Sequence, residues 1–207
     1  MIFVATGRPI LDFEVSFLIF KGNYTTLANS SEPSAQLVAI EEDIHPKRVE
    51  RRAINIATDV HNFYASVSML VDHYRTNKSR GIYSGQFARE LDEKKTQLFA
   101  DNVLGTLSGK LRNHFAHASI PVIRLNRGMP NYQAVLDIAH LRNSLTAANQ
   151  AERGYLASLK DQIPVRQLAD EYFSRAEELY QWTQKRFAAL NSAHAGDLKL
   201  LLEPLGP

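Results

Sequence analysis

The chain has 207 residues, of which 44% are hydrophobic, enough for one folded domain with a buried core, so disorder is excluded as its main state. Its 24 Lys and Arg against 22 Asp and Glu give a net charge of +2, which excludes a chain-wide field for capturing nucleic acid and leaves only a local patch for such binding. It contains no cysteine, which excludes disulfide bonds, thiolate metal sites and cysteine nucleophiles.

The N-terminal segment, residues 1–45, is predicted to be a strand followed by a loop. Apolar and polar residues alternate over residues 10–20, a period of two that is typical of a half-buried strand. Residues 28–35 are rich in Ser, Asn and Pro and predict a loop, which leads to an acidic run at residues 41–43. Charged residues interrupt the apolar residues 1–20, so we predict neither a signal peptide nor a membrane span and expect a cytoplasmic protein that does not bind membranes.

Residues 46–207 predict a helical domain that forms one compact unit with the N-terminal segment. Apolar residues at helical spacing predict four helices, over residues 46–77, 86–118, 139–160 and 164–193. Pro121 should end the second of them at residue 118 or 119. Residues 120–125 and 132–138 flank a turn-forming stretch and predict a hairpin that pairs with the N-terminal strand. The predicted fold class is therefore mainly α, a helical bundle with a small β element.

The residues best suited to chemistry lie at the predicted end of the second helix, where Arg112, Asn113, His114 and His117 fall within six positions. On an ideal helix Asn113 and His117 share a face, whereas Arg112 and His117 point about 140° apart. A site that uses both Arg112 and His117 therefore needs the reach of the arginine side chain, a local distortion or a second subunit.

These residue types fit the cleavage of an RNA phosphodiester without a metal. A histidine can deprotonate the ribose 2′-hydroxyl or protonate the leaving 5′ oxygen. An arginine guanidinium matches the nonbridging phosphate oxygens, whose negative charge grows in the transition state. His61 and His73 lie too far apart along one helix to form a metal pair, and we expect neither a catalytic metal nor another cofactor.

Arg112 and Asn113, followed by three residues and His117, resemble the Arg-polar-x-x-x-His motif of the HEPN superfamily of bacterial toxin and defence ribonucleases. The resemblance includes the upstream residues 62–75 and extends over about residues 46–139. It implies a HEPN-like helical bundle whose motif lies at a homodimer interface, where two copies form one metal-independent RNase site. It also implies that Arg112 and His117 are the catalytic pair and that Asn113 is the residue that orients His117 or the phosphate.

The same resemblance bears on partners. It implies an RNA substrate and a toxin–antitoxin or anti-phage setting, with an antitoxin or regulatory protein as a further partner. Toxins of this superfamily that are silenced by a minimal nucleotidyltransferase carry a tyrosine two residues after the motif histidine. This chain has Ser119 there, so control by AMP transfer at that position is not expected.

A group of four basic residues opens the first long helix, and we call it the basic cluster. Its members are Lys47, Arg48, Arg51 and Arg52. They can contact RNA phosphates, but the interspersed Glu50 and the acidic run before the helix favour an ordinary solvated face equally well.

The main alternative to an enzyme is a noncatalytic helical module for dimerisation or protein interaction, in which Arg112 and His117 make structural hydrogen bonds. A nucleotide-binding sensor that uses these two residues without cleavage is a further alternative. A second Leu-Arg-Asn tripeptide, at residues 141–143, has Ala147 where the motif histidine would stand, and we interpret it as a coincidence.

Overall fold

The computed structural model describes residues 8–32, 46–80, 85–99, 103–127 and 132–202. Within these residues the helices are α1 (Arg8–Ser30), α2 (Pro46–Ser79), α3 (Gly85–Phe99), α4 (Val103–His117), α5 (Ile138–Ser144), α6 (Gln150–Ser158) and α7 (Gln167–Leu202). The strands are β1 (Ile123–Arg127), β2 (Tyr132–Asp137) and β3 (Gln162–Pro164). The protein is mainly helical with one small sheet, which confirms the predicted fold class. None of the helices in these ranges combines the length and the apolar composition needed to cross a membrane.

The N-terminal segment forms a helix, so the predicted strand over residues 10–20 is wrong, as is the part of the predicted loop that falls before Ser31. The buried apolar residues of α1 follow helical spacing: Phe13, Phe17, Phe20 and Leu27. Val15 and Ile19 are each 45% exposed. Together with the buried phenylalanines, these two exposed apolar residues produced the period of two that predicted a strand. The remainder of the predicted loop and the acidic run at 41–43 lie outside the described residues.

Helix α1 runs antiparallel to α2 and also packs on α7. Phe20 is fully buried, and its ring centroid lies 5.4 Å from that of Phe63 in α2 and 5.6 Å from that of Phe173 in α7. At one end of the pair Ser16 is hydrogen-bonded to His73, and at the other end Arg52 donates to the carbonyl of Ser30. The N-terminal segment therefore contributes to the same core as the rest of the chain.

The long helix α2 confirms the first helix prediction, whereas the second predicted helix is two helices, α3 and α4. Helix α3 packs on α7, where Arg186 pairs with Glu90, and α4 packs on α2, where the rings of Tyr64 and Phe115 lie 5.7 Å apart. The two helices bury their apolar faces against different neighbours. One straight helix over both segments could not pack on α7 and α2 in this way. The end of α4 at His117 agrees with the position predicted from Pro121.

The predicted hairpin is present, but its third strand is not the one predicted. β1 and β2 pair antiparallel, with Ile123 opposite Leu136, and the turn residues 128–131 lie outside the described residues. The other edge of β2 pairs with β3, where Leu136 is opposite Ile163. The third predicted helix is interrupted, since α5 ends at Ser144 and α6 begins only at Gln150. The last helix is confirmed and extends to Leu202.

The helical assignment of α1 predicts which of its side chains matter for stability. Phe20→Ala should lower the free energy of unfolding by about 3–5 kcal/mol, because it empties a fully buried site between three helices. Val15→Ala on the exposed side of the same helix is the matched control and should change stability by no more than about 0.5 kcal/mol. Urea denaturation measures both. If these residues formed a strand with alternating faces, Val15→Ala would destabilise the protein more than Phe20→Ala.

Candidate functional site

The motif occupies the last turns of α4, and the burial of one face of this helix fixes their orientation. The buried residues of that face are Leu104, Leu107, Leu111, His114 and Phe115. Asn113 and His117 are exposed, since each lies two positions, or about 200°, beyond a buried residue. The packing of α4 thus presents the Asn113 and His117 side chains to solvent.

An ion pair between a half-buried lysine and a buried glutamate connects α4 to α6 just before the motif. Nζ of Lys110 lies 2.6 Å from Oε2 of Glu152, a carboxylate that is fully buried. Glu152 also closes the capping box at the start of α6, because its carboxylate accepts a hydrogen bond from the backbone N–H of Asn149. Burial opposes the charge of Glu152, but Lys110 and the Asn149 N–H outweigh burial and hold the pKa of Glu152 below its usual value.

The structure brings Arg112 and Asn113 together. Nη1 of Arg112 donates a hydrogen bond of 2.8 Å to Oδ1 of Asn113 at the protein surface. The guanidinium therefore leans towards the face that Asn113 shares with His117 four residues later. The reach of the arginine side chain removes part of the 140° separation that an ideal helix imposes.

His114 is buried and differs in role from His117. Its Nε2 lies 3.1 Å from Oγ of Ser144 in α5, so this ring connects the two helices. Burial lowers the pKa of His114, and the neighbouring His140 lowers it further. The neutral ring is therefore the form that the folded structure favours.

A third histidine, His140 of α5, lies beside the end of α4, and the sequence analysis did not predict it. His140 is exposed on α5, and its Nε2 lies 3.5 Å from Oγ of Ser119. Asp137 begins α5 as its N-cap and accepts a hydrogen bond of 2.8 Å from the backbone N–H of His140. Position 140 is 23 residues beyond position 117 (140 − 117), and no spacing rule links the two. The N-cap aspartate was the available signal for where α5 begins.

The basic cluster divides into two parts. Lys47, Arg48 and Arg51 are exposed at the start of α2. Arg52 instead donates to the carbonyl of Ser30, and its buried Nε has no hydrogen-bond partner among the described residues. Arg52 also lines a cleft of about 360 Å³ between α1 and α2. The cluster begins roughly 25 Å along α2 from the level at which α2 contacts the end of α4.

The second Leu-Arg-Asn tripeptide has a structural role. Arg142 donates to the carbonyls of Leu156 and Leu159 and pairs with Asp161, so its guanidinium caps the end of α6. These contacts agree with the interpretation of the tripeptide as a coincidence.

No metal-binding group was found in the described parts of the chain, where no three His, Asp or Glu side chains come together as ligands would. The chain matches no protein-family model, no curated protein and no solved structure. The HEPN resemblance therefore stays a prediction that rests on the motif residues themselves.

The lowered pKa of His114 predicts a pH-dependent stability. The unfolded chain, with a histidine near its ordinary value of 6.5, binds more protons than the folded chain as the pH falls through this range. The contribution of His114 is thus complete above pH 6.5 and is lost below it. Urea titrations from pH 7.5 to 5.5 should show falling stability, with a weaker pH dependence in His114→Leu. Equal slopes for the two proteins would contradict the buried, neutral His114.

Proposed function

We propose that the protein is a metal-independent endoribonuclease of HEPN type that acts in the cytoplasm. The observation that carries this proposal is the exposed group at the end of α4, where Arg112 is hydrogen-bonded to Asn113 and His117 lies on the same helix face. A cation for a phosphate and an imidazole for proton transfer are thereby available on one accessible surface.

In this proposal His117 acts on a proton of the scissile ribose and Arg112 binds the phosphate. The 2′ oxygen attacks phosphorus as His117 removes its proton, and the bond to the 5′ oxygen breaks. Arg112 stabilises the charge that develops on the nonbridging oxygens, and Asn113 holds the guanidinium in place. The products are a 2′,3′-cyclic phosphate and a 5′-hydroxyl.

A homodimer through α4 is part of the proposal. The exposed side of this helix carries small residues at Gly109 and Ala116, and the chain just beyond it exposes 74% of Ile120. Such a surface allows two copies of α4 to approach, and a large exposed apolar side chain favours burial against a partner. Two facing Arg112 side chains would repel each other unless an anion lies between them, which suits a phosphate substrate. A toxin–antitoxin or anti-phage role, with a restraining protein partner, completes the proposal.

Cleavage without metal is the direct test. End-labelled single-stranded RNA is incubated in excess EDTA with the wild type and with Arg112→Ala, Asn113→Ala and His117→Ala. The wild type should produce cyclic-phosphate ends, the Arg112 and His117 variants should lose at least about 100-fold in rate, and the Asn113 variant should lose less. Arg89→Ala, an exposed arginine on α3, is the matched control and should retain activity.

The result also separates the enzyme from a noncatalytic dimerisation module, which the exposed Ile120 favours as a second candidate. In an interaction module His117→Ala would weaken the dimer or lower the melting temperature, and no variant would differ from the wild type in RNA cleavage. In the enzyme the same variant keeps its stability and loses its activity. Analytical ultracentrifugation and thermal melts distinguish the two patterns.

The exposed members of the basic cluster predict a salt-dependent RNA affinity. Lys47→Glu combined with Arg51→Glu should weaken single-stranded RNA binding and lower the slope of log K against log salt by about 1.4, or about 0.7 for each lost phosphate contact. Fluorescence anisotropy at salt concentrations between 50 and 200 mM measures the RNA affinity and this slope, because phosphate contacts weaken strongly over that range. Lys160→Glu combined with Lys185→Glu, also exposed, makes the same charge change elsewhere. An equal effect of both pairs would show that only net charge matters.

A further inference from the structure

We propose that His140 is the general acid of the reaction and protonates the leaving 5′ oxygen, while His117 of the same chain deprotonates the 2′-hydroxyl. This inference rests on the proposed RNase function and adds a residue from outside the motif. The cleavage needs one group that accepts a proton and one that donates a proton, on opposite sides of the phosphorus. His117 of one chain can be only one of them, so the other is His117 of a second copy or a further residue, and the contacts around the end of α4 favour His140.

The contacts between α4 and α5 place His140 at the motif end of α4. His114 contacts Ser144, and Ser119, further along the chain, contacts His140. The two segments therefore run antiparallel here, since the later residue of one contacts the earlier residue of the other. His117 lies between these two contacts along the chain, so His117 and His140 occupy the same end of the helix pair.

His140 is also held in position, as proton transfer requires. Both oxygens of the buried Asp137 are used, one for the backbone N–H of His140 and the other for the guanidinium of Arg124. The imidazole itself is exposed to solvent and lies 3.5 Å from the Ser119 hydroxyl. The backbone of His140 is thus fixed while its ring remains accessible to a substrate.

The charged and titratable groups around His140 are identified by the same contacts. Asp137 and Arg124 pair with each other beside its backbone, and His114 lies close enough for His140 to lower the pKa of its ring. His114 is hydrogen-bonded to Ser144 and buried, so it is not available to a substrate. Of His114 in α4 and His140 in α5, only the exposed His140 can reach a leaving group.

Every bond and proton in the proposed step is accounted for. The 2′ oxygen forms a bond to phosphorus and gives its proton to His117, and the bond from phosphorus to the 5′ oxygen breaks as that oxygen takes a proton from the His140 imidazolium. The chain ends with protonated His117 and neutral His140, and solvent restores both. No oxidant, reductant or co-reactant is needed.

The test uses two substrates that differ in their need for an acid. One is an RNA oligonucleotide, and the other is the 4-nitrophenyl ester of the 3′-nucleotide at which the wild type cuts, whose nitrophenolate leaves without a proton. His140→Gln should slow RNA cleavage by about 100-fold or more but nitrophenyl ester cleavage by less than about tenfold. His117→Gln should slow both reactions to the same extent. His61→Gln on α2 is the matched control and should retain both activities.

Each outcome bears on the assignment. If His140→Gln cleaves RNA like the wild type, or loses both activities equally with an unchanged thermal midpoint, His140 is not the general acid and the inference is overturned. The proposed RNase function then stands, and the acid belongs elsewhere, for example to His117 of a second copy. If the wild type cleaves neither substrate, the proposed function itself fails and the inference fails with it.

Discussion

The candidate site depends on the burial of one face of α4 against α2. Leu111 and Phe115 are four residues apart and both point into the core, so the residues two positions beyond them, Asn113 and His117, point to solvent. The ion pair of half-buried Lys110 with buried Glu152 adds a second attachment, because it connects the helix to α6 one residue before Leu111. The ammonium and a backbone N–H both contact Oε2 of this fully buried carboxylate and offset part of the cost of burying its charge, while Oε1 has no hydrogen-bond partner among the described residues. These two attachments fix the orientation of the candidate site.

The three histidines near the end of α4 show how packing places similar side chains in different environments. His114 faces Ser144 and contributes to the contact between α4 and α5, and burial lowers its pKa. His117 and His140 are exposed. In the proposed reaction, a phosphate bound by Arg112 would lie near an imidazole from α4 and another from α5. The hairpin ends at the Asp137 N-cap, which determines where α5 begins and therefore where His140 lies.

Strong local signals made much of the fold predictable. Pro46 indicated the start of α2, its regular apolar spacing predicted its end to within two residues, and Pro121 predicted the end of α4 to within one or two residues. The same approach failed for α1, since the exposed Val15 and Ile19 alternate with buried phenylalanines and imitate a strand. It also failed for β3, because a three-residue strand carries too little periodicity to be recognised. Arg112, Asn113 and His117 could be selected as a group because their chemistry and spacing are local.

By itself the sequence determined a mainly helical fold and a local motif on one helix, because turn residues, helix ends and i, i+4 neighbours depend on short stretches of chain. Only the tertiary structure decided that His114 is buried, that Arg112 leans towards Asn113 and that Arg52 is engaged with the end of α1. It also decided that His140 lies beside Ser119, 21 residues earlier in the chain (140 − 119). Contacts at such separations arise from the packing of whole helices against one another, and no pattern within a single helix encodes them.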